Sequence, residues 1–188
     1  MTEGTPPTDR EVIERLRSGD RATVDRLLAE FWNPLCQYAE GILSGVSDPQ
    51  DVVQEAFIKL WTRRDRWSSD GSVRALLYTV TRNAALDERR RHVRLDRAIE
   101  NVDRPDPMPT PAEETVAADL HRAAAQAVSD LPPKRQEVFR LAREEGLSYG
   151  EIASVMGVSP QTVANQMSLA LADLRIALAQ FLVDGAGP

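Results

Sequence analysis

Apolar residues recur every three or four positions along most of this chain, the spacing of one buried helix face. Val24, Leu27, Leu28, Phe31, Leu35, Tyr38 and Ile42 form the longest row and predict a helix bent at Pro34. Upstream, Thr8 and Glu11 stand in capping-box spacing and open a helix over 8–17, which Ser18, Gly19 and Asp20 end. Downstream, Val52, Val53, Ala56, Phe57, Leu60 and Trp61 make an inward stripe. Ser47 or Asp48 caps that helix, and Pro49 suits its first turn. After the polar break "SSDGS", Val73, Leu76, Leu77, Val80 and Ala84 repeat at helical spacing. These helices predict a first domain over residues 8–98.

The pattern then stops. "NVDRPDPMPTP" holds four prolines at alternating positions. Proline removes a donor and disfavours helix at the preceding residue, so residues 99–114 read as an extended linker. Helical spacing resumes in "AEETVAADLHRAAAQAVSD", and again in "KRQEVFRLARE", which runs to Gly146. Two short helices and a tail are expected to complete a second domain over 115–183. No useful stretch alternates with the period of a strand. The expected fold is therefore all-α, as two small helical domains on a Pro-rich linker.

The last two helices have the layout of a helix-turn-helix. Ser148 caps a helix carrying Ile152, Ala153 and Met156, with small Ala153 where two helices cross closely. Gly157 supplies the turn, and Ser159 with Pro160 restarts the chain. Val163, Met167, Ala170 and Leu174 point inward. Gln161, Ala164, Asn165 and Ser168 are then left outward near the N-terminal end, the part that meets base edges in this motif, with Leu169 beside them. A plain helical hairpin with a solvated polar face gives the same pattern.

Charge sharpens the question. The 188 residues carry 23 Lys and Arg against 29 Asp and Glu, a net charge of -6. That balance excludes a generic, strongly basic nucleic-acid binder. Between Arg143 and Arg175 there is no Lys or Arg, so the reading helix has no phosphate anchor of its own. Lys134, Arg135, Arg140 and Arg143 on the preceding helix are the nearest candidates for that task. The other basic concentration is "RNAALDERRRHVRLDR", with Arg82, Arg89, Arg90, Arg91, Arg94 and Arg97. A basic run at a helix end also reads as a solvated face suited to the helix dipole. Tyr78, Arg82 and Asn83, expected to be exposed just before it, favour nucleic acid.

Candidate chemistry is otherwise sparse. One cysteine, Cys36, makes no internal disulfide and reads as a small core residue. Neither a metal-ligand cluster nor a phosphate-binding glycine loop appears, so no metal, cofactor or enzymatic activity is expected. The polar N-terminus lacks the apolar segment of a signal peptide, and no apolar run reaches membrane-spanning length; a cytoplasmic protein is expected.

Taken together, the motifs resemble those of bacterial RNA polymerase sigma factors of the extracytoplasmic-function (ECF) group, in the sigma-70 family. "DVVQEAF" at 51–57 resembles that family's core-binding segment. "LLYTVTRNAALDERRR" at 76–91 resembles its promoter-melting and −10-reading helix. "LPPKRQEVF" at 131–139 and "GLSYGEIASVMGVSPQTV" at 146–163 resemble its −35-reading domain. The resemblance spans roughly residues 10–178 in the family's order. It implies a promoter-specificity subunit that works on core RNA polymerase and promoter DNA, held at rest by an anti-sigma factor. Asp51, Gln54, Glu55, Ile58 and Lys59 would meet polymerase. Trp67, Ser69, Tyr78, Arg82, Asn83, Arg89 and Arg90 would serve the −10 element. Arg143, Gln161, Thr162, Ala164, Asn165 and Ser168 would serve the −35 element. Leu76 stands where the family often has an aromatic, and Ala164, Gln166 and Leu169 where it often has Lys or Arg. The helix-turn-helix alone also fits a stand-alone transcriptional regulator, but the N-terminal half shows no βα alternation of a ligand or receiver domain. A decoy that binds polymerase without reading DNA is a third reading.

Overall fold

The computed structural model describes residues 7–68, 70–98 and 116–184, with side chains assigned over 7–68, 70–95 and 122–179. The linker expected over 99–114 and residue Ser69 lie outside the described residues. Every described element is helical, and the chain forms two compact units.

The first unit contains α1 (Asp9–Arg17), α2 (Arg21–Leu43), α3 (Pro49–Thr62), a 3-10 turn (Arg64–Arg66) and α4 (Val73–Ala98). Local chemistry sets each start. Thr8 Oγ1 accepts from the Glu11 amide at 3.4 Å, and the Glu11 carboxylate accepts from the Thr8 amide at 2.8 Å. Asp20 caps α2 through the Ala22 amide and also accepts from the Thr23 hydroxyl at 2.8 Å. The Thr8 amide and hydroxyl hold the Glu11 carboxyl below its ordinary range, and the Thr23 hydroxyl does the same for Asp20. Depressed carboxyls stabilise above their unfolded pKa, so both caps weaken as pH falls through the acid range. Asp48, not Ser47, caps α3, accepting from the Gln50 amide at 2.8 Å, with Pro49 in the first turn.

α2 runs through Pro34 without a break. It ends at Ser44, whose φ of 52° is left-handed, a conformation more often given to glycine. The core gathers Ile13 and Leu16 from α1, Leu35 and Leu43 from α2, Val53 and Leu60 from α3, and Leu77, Tyr78 and Ala84 from α4. α4 packs against α1, α2 and α3 at once. Its buried arc is therefore wider than a single stripe and includes Tyr78, Thr81 and Ala85. Trp61, expected in the stripe, is only half-buried and carries the Arg64 guanidinium over its ring at 4.8 Å.

The second unit contains α5 (Val116–Ser129), α6 (Pro133–Arg143), α7 (Tyr149–Met156) and α8 (Pro160–Asp184). α8 corrects the expectation of two short helices: it is a single helix of 25 residues. No Gly or Pro interrupts it between Pro160 and Gly185. Ala127, Leu131, Ala170 and Leu174 form a core where α5 and α8 meet, flanked by Phe139 of α6. The Gln136 amide donates to the Val128 and Ser129 carbonyls at 3.0 and 3.1 Å, fixing the α5–α6 turn.

Candidate nucleic-acid interface

In α7 and α8 the helix-turn-helix is built from two caps and one glycine. Ser148 and Glu151 make a reciprocal capping box, with the Ser148 amide donating to the Glu151 carboxylate at 2.8 Å. Gly157 has φ +67°, and a Cβ there would meet nothing within 4 Å. Backbone conformation, not lack of room, therefore calls for glycine. Ser159 Oγ then accepts from the Thr162 amide at 3.1 Å and starts α8 beside Pro160.

Val163, Met167, Ala170 and Leu174 are buried as expected. Helical geometry leaves Gln161, Thr162, Asn165 and Ser168 exposed, while Ala164 is half-buried between them. These side chains are not independent. Gln161 Nε2 donates to Asn165 Oδ1 at 3.0 Å, and the Thr162 and Ser159 hydroxyls pair at 2.9 Å.

The expected phosphate anchors separate into distinct groups. Arg135 is tied to Asp173 of α8 at 2.5 Å, so it braces the unit from within. Nothing in the sequence marks that pair, which spans 38 positions. Arg140 is half-buried, with a buried Nε that has no hydrogen-bond partner. Lys134 and Arg143 are exposed, and among the described residues Arg143 makes no ion pair.

On α4 the expectations need correction. Tyr78 is 1% exposed and sits edge-to-face with Tyr38, ring centroids 5.1 Å apart. It is a core residue and cannot meet a base, because α2 covers the position that the single-stripe pattern left outside. Much of the basic run is answered locally. Arg90 pairs with Asp87 at 2.9 Å, and Arg91 pairs closely with Glu88. Glu88 also accepts from the Ser47 hydroxyl at 2.7 Å, tying α4 to the start of α3. Arg89 donates to the Ile42 carbonyl at 3.3 Å. Arg82 is half-buried and Asn83 exposed.

The loop between α3 and α4 is anchored rather than loose at its start. The Trp67 indole N–H donates to the Leu60 carbonyl at 3.0 Å and the ring is half-buried, so its polar edge already has a partner. The Ser68 and Ser72 hydroxyls cap the Asp70 and Ala75 amides. Ser69, expected to meet the −10 element, lies outside the described residues.

α3 presents a different surface. Burial of Val52, Val53, Ala56, Phe57 and Leu60 leaves Asp51, Gln54, Glu55 and Ile58 outside. Ile58 is 56% exposed, a large apolar side chain amid polar groups. Lys59 is half-buried and pairs with Glu55 at 2.9 Å. Exposed pairs of this spacing contribute only about 0.3–0.5 kcal/mol, so Glu55 can exchange this partner for another. A groove of about 440 Å³ runs between this face and α4, lined by Glu55, Asp87, Glu88, Arg91, Arg94 and Leu95. Cys36, expected in the core, is only half-buried on α2, where burial and then Asp48 push its thiol pKa up. Among the described residues no group of three or more metal-ligating side chains gathers, and no helix is long and apolar enough to cross a membrane.

A helix-turn-helix with amide-bearing outer positions, joined in one chain to a helical unit with a mixed acidic and apolar face, is the layout of a modular DNA-binding protein. Family comparison agrees and goes further. The sigma-70 region 2 model matches residues 27–95, and the sigma-70 region 4 model matches residues 121–174. A probable RNA polymerase sigma factor RfaY from Xanthomonas campestris is 30% identical over 168 residues, covering 87% of this chain. This chain spans only 42% of that protein's length. The ECF RNA polymerase sigma-E factor of Haemophilus influenzae is 26% identical over 170 residues, covering 85% of this chain and 89% of that protein. Among solved structures, CnrH in complex with the cytosolic domain of CnrY superposes with a TM-score of 0.64 at 26% identity, covering 95% of this chain and 99% of that one. The chain belongs to the sigma-70 family of RNA polymerase sigma factors, in the ECF group. Its function is that of a promoter-specificity subunit in transcription initiation.

Proposed function

We propose that the chain divides promoter selection between its two units. The α3 face, with Asp51, Gln54, Glu55, Ile58 and Lys59, docks on core RNA polymerase. α4 and the loop before it, through Arg82, Asn83, Arg89 and Arg90, engage the −10 element, with Trp67 holding the loop base. α8, through Gln161, Thr162, Asn165 and Ser168, reads the −35 element, while Arg143 holds phosphate and Ala164 lies against the bases. The protein acts as a non-enzymatic subunit in the cytoplasm, where its polymerase works.

One observation carries this reading. The reading helix exposes hydrogen-bonding amides but no cation from Pro160 to Leu174. Amide contacts specify bases, whereas affinity for DNA comes chiefly from phosphate contacts. Such a helix works when a larger, charged partner brings the DNA to it. Promoter binding by the free chain is accordingly weak, and the stand-alone regulator is disfavoured.

The test is run-off transcription with core polymerase, paired with a polymerase pull-down. Asp51→Arg, Gln54→Ala and Ile58→Glu are expected to weaken core binding with helicity unchanged, since all three positions are exposed. Unchanged affinity in all three variants would remove the docking assignment. CnrH is seen bound to the cytosolic domain of CnrY, and by extension an anti-sigma factor holds this chain at rest. Full promoter-specific activity in cells, with no protein co-purifying on the chain, would count against that extension.

A further inference from the structure

The outer face of α8 offers few chemical choices. The Thr162 hydroxyl is paired to Ser159, Ala164 offers only a methyl group, and Ser168 reads bases with little selectivity. That leaves the amides of Gln161 and Asn165, one turn apart and exposed, joined by a hydrogen bond of 3.0 Å. The direction of this bond matters. Gln161 has spent one of two N–H donors, and Asn165 has used one of the two lone pairs on its carbonyl oxygen.

A primary amide keeps its oxygen and one N–H together on a single edge. The second N–H lies away from that edge and can be given up without loss of it. Gln161 held by that second N–H still shows an acceptor and a donor side by side. Adenine in the major groove shows the complementary N6–H donor and N7 acceptor. Asn165 keeps both N–H donors and one acceptor site, but its oxygen is turned toward Gln161, so its part is to hold the Gln161 amide in place. The bond also restricts a long side chain that would otherwise lose its freedom only on meeting DNA.

We infer that Gln161 and Asn165 read promoter DNA as one unit, in which Asn165 positions the Gln161 amide so that Gln161 specifies an adenine. The inference rests on α8 being the −35 reader. Gln161 is the base-contacting group, and Asn165 is its positioning residue for that base.

The experiment is a randomised −35 promoter library transcribed by core polymerase with the full chain or its variants. Gln161→Ala is expected to reduce preference for adenine at one position about tenfold. Asn165→Ala is expected to reduce preference at that same position several-fold, although the side chain removed is a different one. Asn165→Asp keeps the acceptor for Gln161 and loses the donors. It is expected to retain the adenine preference while lowering output from all promoters, because a carboxylate repels phosphates. The double alanine variant is expected to be no worse at that position than Gln161→Ala. Independent losses at separate positions, or an Asn165→Asp profile matching Asn165→Ala, would overturn the coupling and leave α8 as the reader. If neither alanine variant alters any −35 preference, α8 is not the reader and the coupling falls with it.

Discussion

α4 and α8 are the long helices of their units, 26 and 25 residues, and they carry polar chemistry in opposite ways. α4 is rich in arginine, yet Asp87 and Glu88 answer Arg90 and Arg91 within the helix, and Arg89 turns back to the Ile42 carbonyl. α8 has no cation before Arg175 and presents amides and hydroxyls instead. The inward faces differ as well. α4 buries Tyr78 and Thr81, whereas α8 buries Val163, Met167, Ala170 and Leu174. Counting arginines along a helix therefore overstates what DNA would feel. The useful quantity is the charge left after neighbouring carboxylates and carbonyls have taken their share.

The largest expected effect concerns the buried face of α4. Tyr78→Ala removes a fully buried aromatic and is expected to lower stability of the first unit by about 3–5 kcal/mol, read from urea melts. Tyr78→Phe keeps the ring packed on Tyr38 and is expected to leave −10 selection unchanged. A shifted −10 preference in Tyr78→Phe, with the melt unmoved, would return Tyr78 to the DNA surface.

Next in size is the contrast between a paired and an unpaired arginine. Arg143→Ala is expected to reduce the salt slope of promoter binding by the assembled polymerase by about one, uniformly across sequences. Arg90→Ala is expected to reduce it by less, because Asp87 at 2.9 Å offsets part of the Arg90 charge, although so exposed a pair is weak enough to open. Equal reductions would mean that the Asp87 pair opens on DNA, and the difference drawn between the two helices would shrink accordingly.

What was legible in the sequence was local. Thr8 with Glu11, Pro49 after Asp48, Ser148 with Glu151, and Ser159 with Pro160 all act within one turn, and the structure shows each cap in place. The helix-turn-helix was legible for the same reason, since Gly157 and the inward positions of α8 depend on near neighbours. Tyr78 was misread because burial there depends on Tyr38, forty positions away on α2. Arg135 reads as a phosphate anchor in the sequence for the same reason: its partner Asp173 is nearly as remote. Long-range cover decides which side chains are free for function, and periodicity within one helix cannot register it. α8 shows a third limit: no Gly or Pro stands between Pro160 and its last described residue, Asp184, so nothing within the motif marks the length of the helix.

A smaller effect tests whether the start of α8 is held by its cap. Ser159→Ala removes the acceptor for the Thr162 amide and the partner of the Thr162 hydroxyl. The expected cost is about 1 kcal/mol in the second unit's melt. The first unit's melt should stay where it is. A shift in both transitions would show that the units do not unfold separately.

The smallest expected effect returns to the inward face of α4 and carries the opposite sign. Thr81 is fully buried, and its hydroxyl oxygen has no hydrogen-bond partner. Its neighbour Thr79 shows the usual arrangement, donating to the Ala75 carbonyl one turn back at 2.7 Å. An unpaired buried hydroxyl costs stability, and valine has nearly the same shape and helix propensity. Thr81→Val is therefore expected to stabilise the first unit by about 0.5–1 kcal/mol, while Thr79→Val, which discards a made bond, is expected to be neutral or destabilising. Among the described residues, no position on the inward face of α8 offers such a gain, because Val163, Met167, Ala170 and Leu174 are all apolar. If Thr81→Val destabilised the unit in paired melts, the hydroxyl would have a partner in solution, and the polar element inside α4 would be a satisfied contact instead of a cost.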